Sequence, residues 1–398
     1  MKLWMLRLGF LPLVAADFGN WSLVLLEEAV QTRGAACLDG SPAGYWIEHG
    51  WGSGAKRWII HFQGGGWCIS YEDCLARSKT SLGSSLNFTA EKSKTLEYSD
   101  GGVHGYLSNQ PEVNPDFYNW NKVFALYCDG SSRNSEVEGP VVVGQKEVLY
   151  FRGHRILMAT MESLMETMGQ GTGLATDLIV GGCSAGGLTV WLHLDYIRRL
   201  MPSSVRVVGL PQCGLFMDQP DYQGLEYFTP LYAHIFDMMG MIRSPSLDPG
   251  CLDKYSEEPW HCFMAQYVMP FVQTPYFAVN SFYDSWQFKA MLRLPDSCIW
   301  SQDCTMKQVD SERNLKDIMV KNVSQSAGSH SYFLYSCVSH CGYLNHDDGW
   351  RRLVVNGQSL RGAISAWYFH ERIFQGAQVQ EMPDENPTCH PYGIEIVV

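Results

Sequence analysis

The chain has 398 residues, 46% hydrophobic and 18% charged, with a net charge of −12. That is enough apolar material for one large α/β domain or two smaller ones. The acidic balance argues against nucleic acid as a partner, because phosphate binding needs basic surface. Plentiful aromatics and the lack of like-charge runs exclude a disordered chain.

The first 16 residues read as a secretion signal. Lys2 and Arg7 supply charge, a short apolar stretch follows, and Val14-Ala15-Ala16 offers a small-residue cleavage site before Asp17. The stretch is too short to span a bilayer, no later run is long and apolar enough, and the C-terminal E-I-V-V is neither an anchor nor a retention signal. The expectation is a secreted, extracellular protein, monomeric and without an integral membrane segment. Thirteen cysteines agree with export and with disulfide bonding. None has the paired spacing of a zinc site, so neither metal nor other cofactor is expected. The odd count leaves at least one free thiol, and Cys183, inside a tight turn, is the candidate. Sequons at Asn20, Asn87 and Asn322 fit glycosylated surface loops.

No repeat or linker divides residues 17–398, which read as a single domain. Short runs rich in β-branched and aromatic residues alternate with helical patterns. In chain order the predicted strands are 58–62, 123–127, 177–180, 205–208, 276–280 and 331–335. Leu157, Met161, Leu164, Met165 and Met168 share one helix face that packs into the core, with Gly169 as the stop. A second helix starts at Ala185 and carries Leu188, Leu192 and Tyr196 along one stripe. Residues 218–273, with several prolines and two cysteines, read as a disulfide-stapled cap or insertion. The fold class is α/β, α/β-hydrolase-like, with a mainly parallel sheet flanked by helices.

Between strand 177–180 and the second helix lies G-C-S-A-G, the G-x-S-x-G pattern that holds a nucleophilic serine at a sharp strand-to-helix turn. Ser184 needs a base and a group to orient that base. Asp284 follows strand 276–280, at the carboxyl edge where reactive groups gather in open α/β sheets. His340 lies after strand 331–335 between Cys337 and Cys341, in a loop that disulfides would hold still. His346 is its main competitor, and His193 reads as a packing residue. The order Ser184, Asp284, His340 is that of α/β-hydrolases. N–H donors for an oxyanion are offered by Ala185 and by the G-G-G after strand 58–62.

The motifs F-Q-G-G-G-W-C, Y-C-D-G, G-C-S-A-G-G-L, N-S-F-Y-D-S-W-Q and S-C-V-S-H-C together resemble the pectin acetylesterase family, which includes plant enzymes and the animal carboxylesterase Notum. The resemblance covers nearly the whole mature chain. It implies a secreted serine esterase without metal, with Ser184 as nucleophile, Asp284 as acid and His340 as base. It places oxyanion donors at Gly65 or Gly66 and at Ala185, and Trp67 against the acyl group. The implied substrate is an acetylated polysaccharide such as pectin, although a polyanion meets a −12 chain unfavourably. The alternatives are removal of a lipid acyl group from a protein and a catalytically idle binding protein. The chain departs from the plant pattern at Gln212–Gly214, at Gly342 and after Y-C-D-G, where substrate would be held.

Overall fold

Each of the six predicted strands forms, shifted by a few residues at most, because its apolar run is buried on both faces as a parallel sheet requires. The computed structural model describes residues 14–18, 21–88, 102–169, 175–326, 330–377 and 385–389. Its strands are β1 (Val14–Phe18), β2 (Trp21–Leu25), β3 (Gly44–Glu48), β4 (Arg57–Phe62), β5 (Asn121–Ala125), β6 (Val141–Val143), β7 (Glu147–Leu149), β8 (Asp177–Cys183), β9 (Arg206–Gln212), β10 (Phe277–Ser281), β11 (Ser331–Tyr335), β12 (Val354–Val355), β13 (Gln358–Ser359) and β14 (Gln375–Ala377). Ten of them make one sheet in the order β1-β2-β3-β5-β4-β8-β9-β10-β11-β14. From β5 to β14 every neighbour is parallel, and β1, β2 and β3 add an antiparallel edge. β6–β7 and β12–β13 are small separate hairpins.

The predicted strand at 123–127 actually starts at Asn121. Its second residue, Lys122, reads as a polar break in the sequence. In the structure its ammonium is buried, 3.2 Å from the buried carboxylate of Glu48 on β3. Burial lowers the Lys122 pKa and the Glu48 charge pulls it back up. The helix predicted around Leu157–Met168 spans Gly153–Gly169, and the second spans Ala185–Leu200.

Residues 1–13 of the expected signal and Asn20 lie outside the described residues. β1 runs across the expected cleavage point after Ala16. Asn87 ends a 3₁₀ turn, Ser85–Asn87. Asn322 stands within the helix Met306–Ser326, not in a loop, and its amide donates to the Ile318 carbonyl (2.8 Å). Among the described residues no helix is long and apolar enough to cross a membrane.

Six disulfides join Cys37–Cys128, Cys68–Cys74, Cys183–Cys341, Cys251–Cys262, Cys298–Cys304 and Cys337–Cys389. Cys251–Cys262 staples the segment 218–273 internally.

Candidate active site

β8 ends at Cys183 and the helix begins at Ala185, so Ser184 alone makes the turn, at φ 59° and ψ −126°. A residue with a side chain rarely adopts positive φ, and such strain persists only where the surroundings enforce it. Here they do. The Ser184 N–H donates to the Gln212 carbonyl of β9 (3.0 Å), and its carbonyl accepts from Leu188 in the first helical turn (2.8 Å). Gly186 lets the helix approach β4 closely, since a Cβ there would sit 1.9 Å from the Phe62 carbonyl oxygen.

The candidate acid and base, Asp284 and His340, follow adjacent parallel strands. β10 and β11 pair up to Ser281 and Tyr335, and a further parallel bridge joins Asp284 to Ser339. His340 follows directly. Its Nδ1 lies 2.8 and 2.9 Å from the two carboxylate oxygens of Asp284, and both residues are buried. A carboxylate only accepts, so the ring proton sits on Nδ1 and Nε2 is left as an acceptor. Gln287 supports the acid: its backbone N–H donates to Asp284 Oδ1 (3.0 Å), while its side chain bonds Leu215 and Met217 backbone groups.

The Cys183–Cys341 disulfide links the residue before Ser184 to the residue after His340, with 5.9 Å between its Cα atoms. One Cα step of about 3.8 Å at each end keeps the Cα atoms of Ser184 and His340 within about 13.5 Å. Cys183 is therefore not the free thiol. The close packing of the turn falls on its glycines, while the Cys183 side chain meets Cys341. The free cysteine is Cys213, buried, with its sulfur accepting from the Cys341 N–H (3.2 Å). Burial pushes its thiol pKa up, and the charge of Asp284 adds to this. Neither the Ser184 hydroxyl nor His340 Nε2 has a hydrogen-bond partner among the described residues.

Other histidines stand apart. His193 is buried in the helix Ala185–Leu200, where Nε2 donates to the Ser132 carbonyl (3.0 Å), and burial lowers it to about 3. His346 precedes the short helix Asp347–Arg352.

After β4, Gly65 (φ 138°) and Gly66 (φ 65°) carry the chain past Leu82 and Tyr127 to Trp67. Trp67 is 7% exposed and its Nε1 donates to Ser132 Oγ (2.8 Å). Its ring touches those of Phe216, Tyr232, Trp286, Phe263 and Phe228, with centroids 5.0–6.4 Å apart. Trp286 and Phe216 in turn flank the His340 ring at 6.0 and 6.3 Å. The sequence reading singled out only Trp67 of this wall. Trp286 stood in the D-S-W-Q block beside Asp284, but Phe216 follows β9 and Phe228, Tyr232 and Phe263 come from the cap segment, and none carries a local signal.

The chain has known relatives. The pectinacetylesterase family profile matches residues 15–390. Pectin acetylesterase 11 of Arabidopsis thaliana is 34% identical, over 92% of both chains. The palmitoleoyl-protein carboxylesterase NOTUM of Mus musculus is 30% identical, over 84% of this chain and 64% of that one. Among solved structures, the Wnt deacylase Notum from Drosophila superposes with a TM-score of 0.71 at 25% identity, over 87% of this chain and 93% of that one. The sheet is thus that of a Notum-like α/β-hydrolase.

Proposed function

The chain belongs to the pectinacetylesterase family and its homologues are carboxylesterases; from that premise we propose that it removes O-acetyl groups from a polysaccharide outside the cell. Six disulfides fit that oxidising location. His340, oriented by Asp284, takes the proton of Ser184 through Nε2 as the hydroxyl attacks the ester carbonyl. The open partners on both atoms leave that bond to close when substrate binds. N–H groups of the Gly65–Gly66 loop and of Ala185 receive the oxyanion, at the amino end of a helix whose dipole favours negative charge. The alcohol leaves with the proton from His340, and water then releases the acyl group by the reverse path.

The observation that carries the acetyl reading is the aromatic wall. Rings pack at contact distance around Trp67 and beside His340, which favours a short acyl group, since a long chain would have to displace them. Removal of a lipid acyl group from a protein is the second reading, favoured by the fold it shares with Notum.

A series of p-nitrophenyl esters from acetate to palmitate separates the two. The acetyl reading expects kcat/KM to be highest for acetate and to fall roughly tenfold or more by octanoate, as the added methylenes meet the wall. A maximum at medium or long chains makes it a lipid deacylase. Failure to hydrolyse any ester leaves a binding protein of the same fold.

A further inference from the structure

We infer that Arg77 and Tyr127 are positioning residues that hold the glycine loop after β4 in the orientation an oxyanion hole needs. The inference rests on the esterase reading and gives a role to Arg77, which no motif marked, and to Tyr127 of Y-C-D-G, whose role the motif leaves open.

Three successive carbonyls of the loop are clasped from behind. Arg77 Nη1 donates to the Gly65 carbonyl (2.7 Å) and its Nη2 to the Trp67 carbonyl (3.3 Å). The Tyr127 hydroxyl donates to the Gly66 carbonyl between them (2.8 Å). In a trans peptide plane the C=O of one residue points opposite to the N–H of the next. Holding the Gly65 carbonyl therefore aims the Gly66 N–H the other way, and holding the Gly66 carbonyl does the same for the Trp67 N–H. Neither N–H donates to any group among the described residues. Glycine at these positive φ values resists no rotation by itself, so side chains must supply the order.

The clasp is itself anchored. Arg77 ends the helix Tyr71–Arg77, whose start is capped by the Ser70 hydroxyl. The Cys68–Cys74 disulfide ties that helix to the residue after Trp67. Tyr127 is buried, accepts from the Ser132 N–H (2.9 Å), and has its own N–H taken by the Gln63 side chain (2.9 Å). Gly130 of Y-C-D-G closes over the assembly: a Cβ there would lie 2.9 Å from Cys68 Sγ and 3.6 Å from Arg77 Cδ. Among the described residues no carboxylate forms an ion pair with Arg77, so its donors serve the loop.

The test uses p-nitrophenyl acetate with wild type, Ser184→Ala, Arg77→Gln, Arg77→Lys and Tyr127→Phe, each checked for a cooperative melt. Active sites are counted by a covalent serine reagent. Removing a direct oxyanion donor costs roughly 100- to 1,000-fold in kcat, and loosening its support should cost part of that. We expect kcat per titrated site to fall roughly tenfold or more in Arg77→Gln and Tyr127→Phe, with KM within about threefold. Arg77→Lys, which keeps one donor and the charge, should recover part of the loss. Unchanged kcat per site in both variants, or a loss confined to KM, overturns the clasp. So does a loss fully explained by fewer folded sites. If wild type is inactive, or Ser184→Ala keeps the rate, the esterase reading itself has failed instead.

Discussion

Ser184 combines positive φ, a buried position and a hydroxyl without a partner among the described residues, while His340 and Asp284 are already paired in the loops after two strands. If these three act as a unit, Ser184→Ala should lower turnover of p-nitrophenyl acetate by roughly four orders of magnitude or more, with KM little changed. Asp284→Asn should cost roughly 10,000-fold, since an amide can hold the ring in the wrong tautomer; steady-state kinetics measure both. The placement of these residues was legible from their setting in the sequence: a serine on a glycine-flanked turn, and polar groups just past strand ends. The roles proposed for Arg77 and Tyr127 were not, since Arg77 stands outside every motif and the backbone that Tyr127 of Y-C-D-G grips lies 61 residues away. Cys183 was misjudged because the sequence shows which residues are crowded but not where a side chain points.

At the level of elements, the parallel register of β10 and β11 sets Asp284 beside His340, and the Cys183–Cys341 bridge ties the β8 turn to that pair. Replacing both cysteines by serine removes a closure spanning 158 residues, and should cost about 2–5 kcal/mol of stability. It should also lower kcat more than KM, as the two halves of the site drift apart; denaturant melts and kinetics on the same variant test this. Trp67→Ala or Trp286→Ala opens the aromatic wall, so the ratio of octanoate to acetate hydrolysis should rise at least several-fold. An unchanged ratio would place the acyl group elsewhere. The parallel strands were readable as continuous apolar runs. The antiparallel edge was less so, because β3 ends in a glutamate whose burial makes sense only beside Lys122.

Over the whole molecule, three buried histidines share one electrostatic bias. Burial lowers His61 to about 3, His154 to about 4 and His193 to about 3. The unfolded chain therefore binds more protons below pH 6.5, and stability should fall as pH drops from about 6.5 toward 3, each ring costing up to about 1.4 kcal/mol per pH unit. Glu312, raised to about 7 by burial, works the other way, losing its contribution as pH rises from about 4.5 to 7. Three groups against one make the acid side dominant, and Tm measured from pH 8 to 4 should decline most steeply below 6.

The nucleophile can be identified directly by labelling the active protein with a small fluorophosphonate and mapping the adduct by peptide mass spectrometry. Loss of turnover in step with a single adduct on Ser184 is the expected result. Inactivation with the adduct on another serine, or full labelling of Ser184 with turnover intact, would contradict the account.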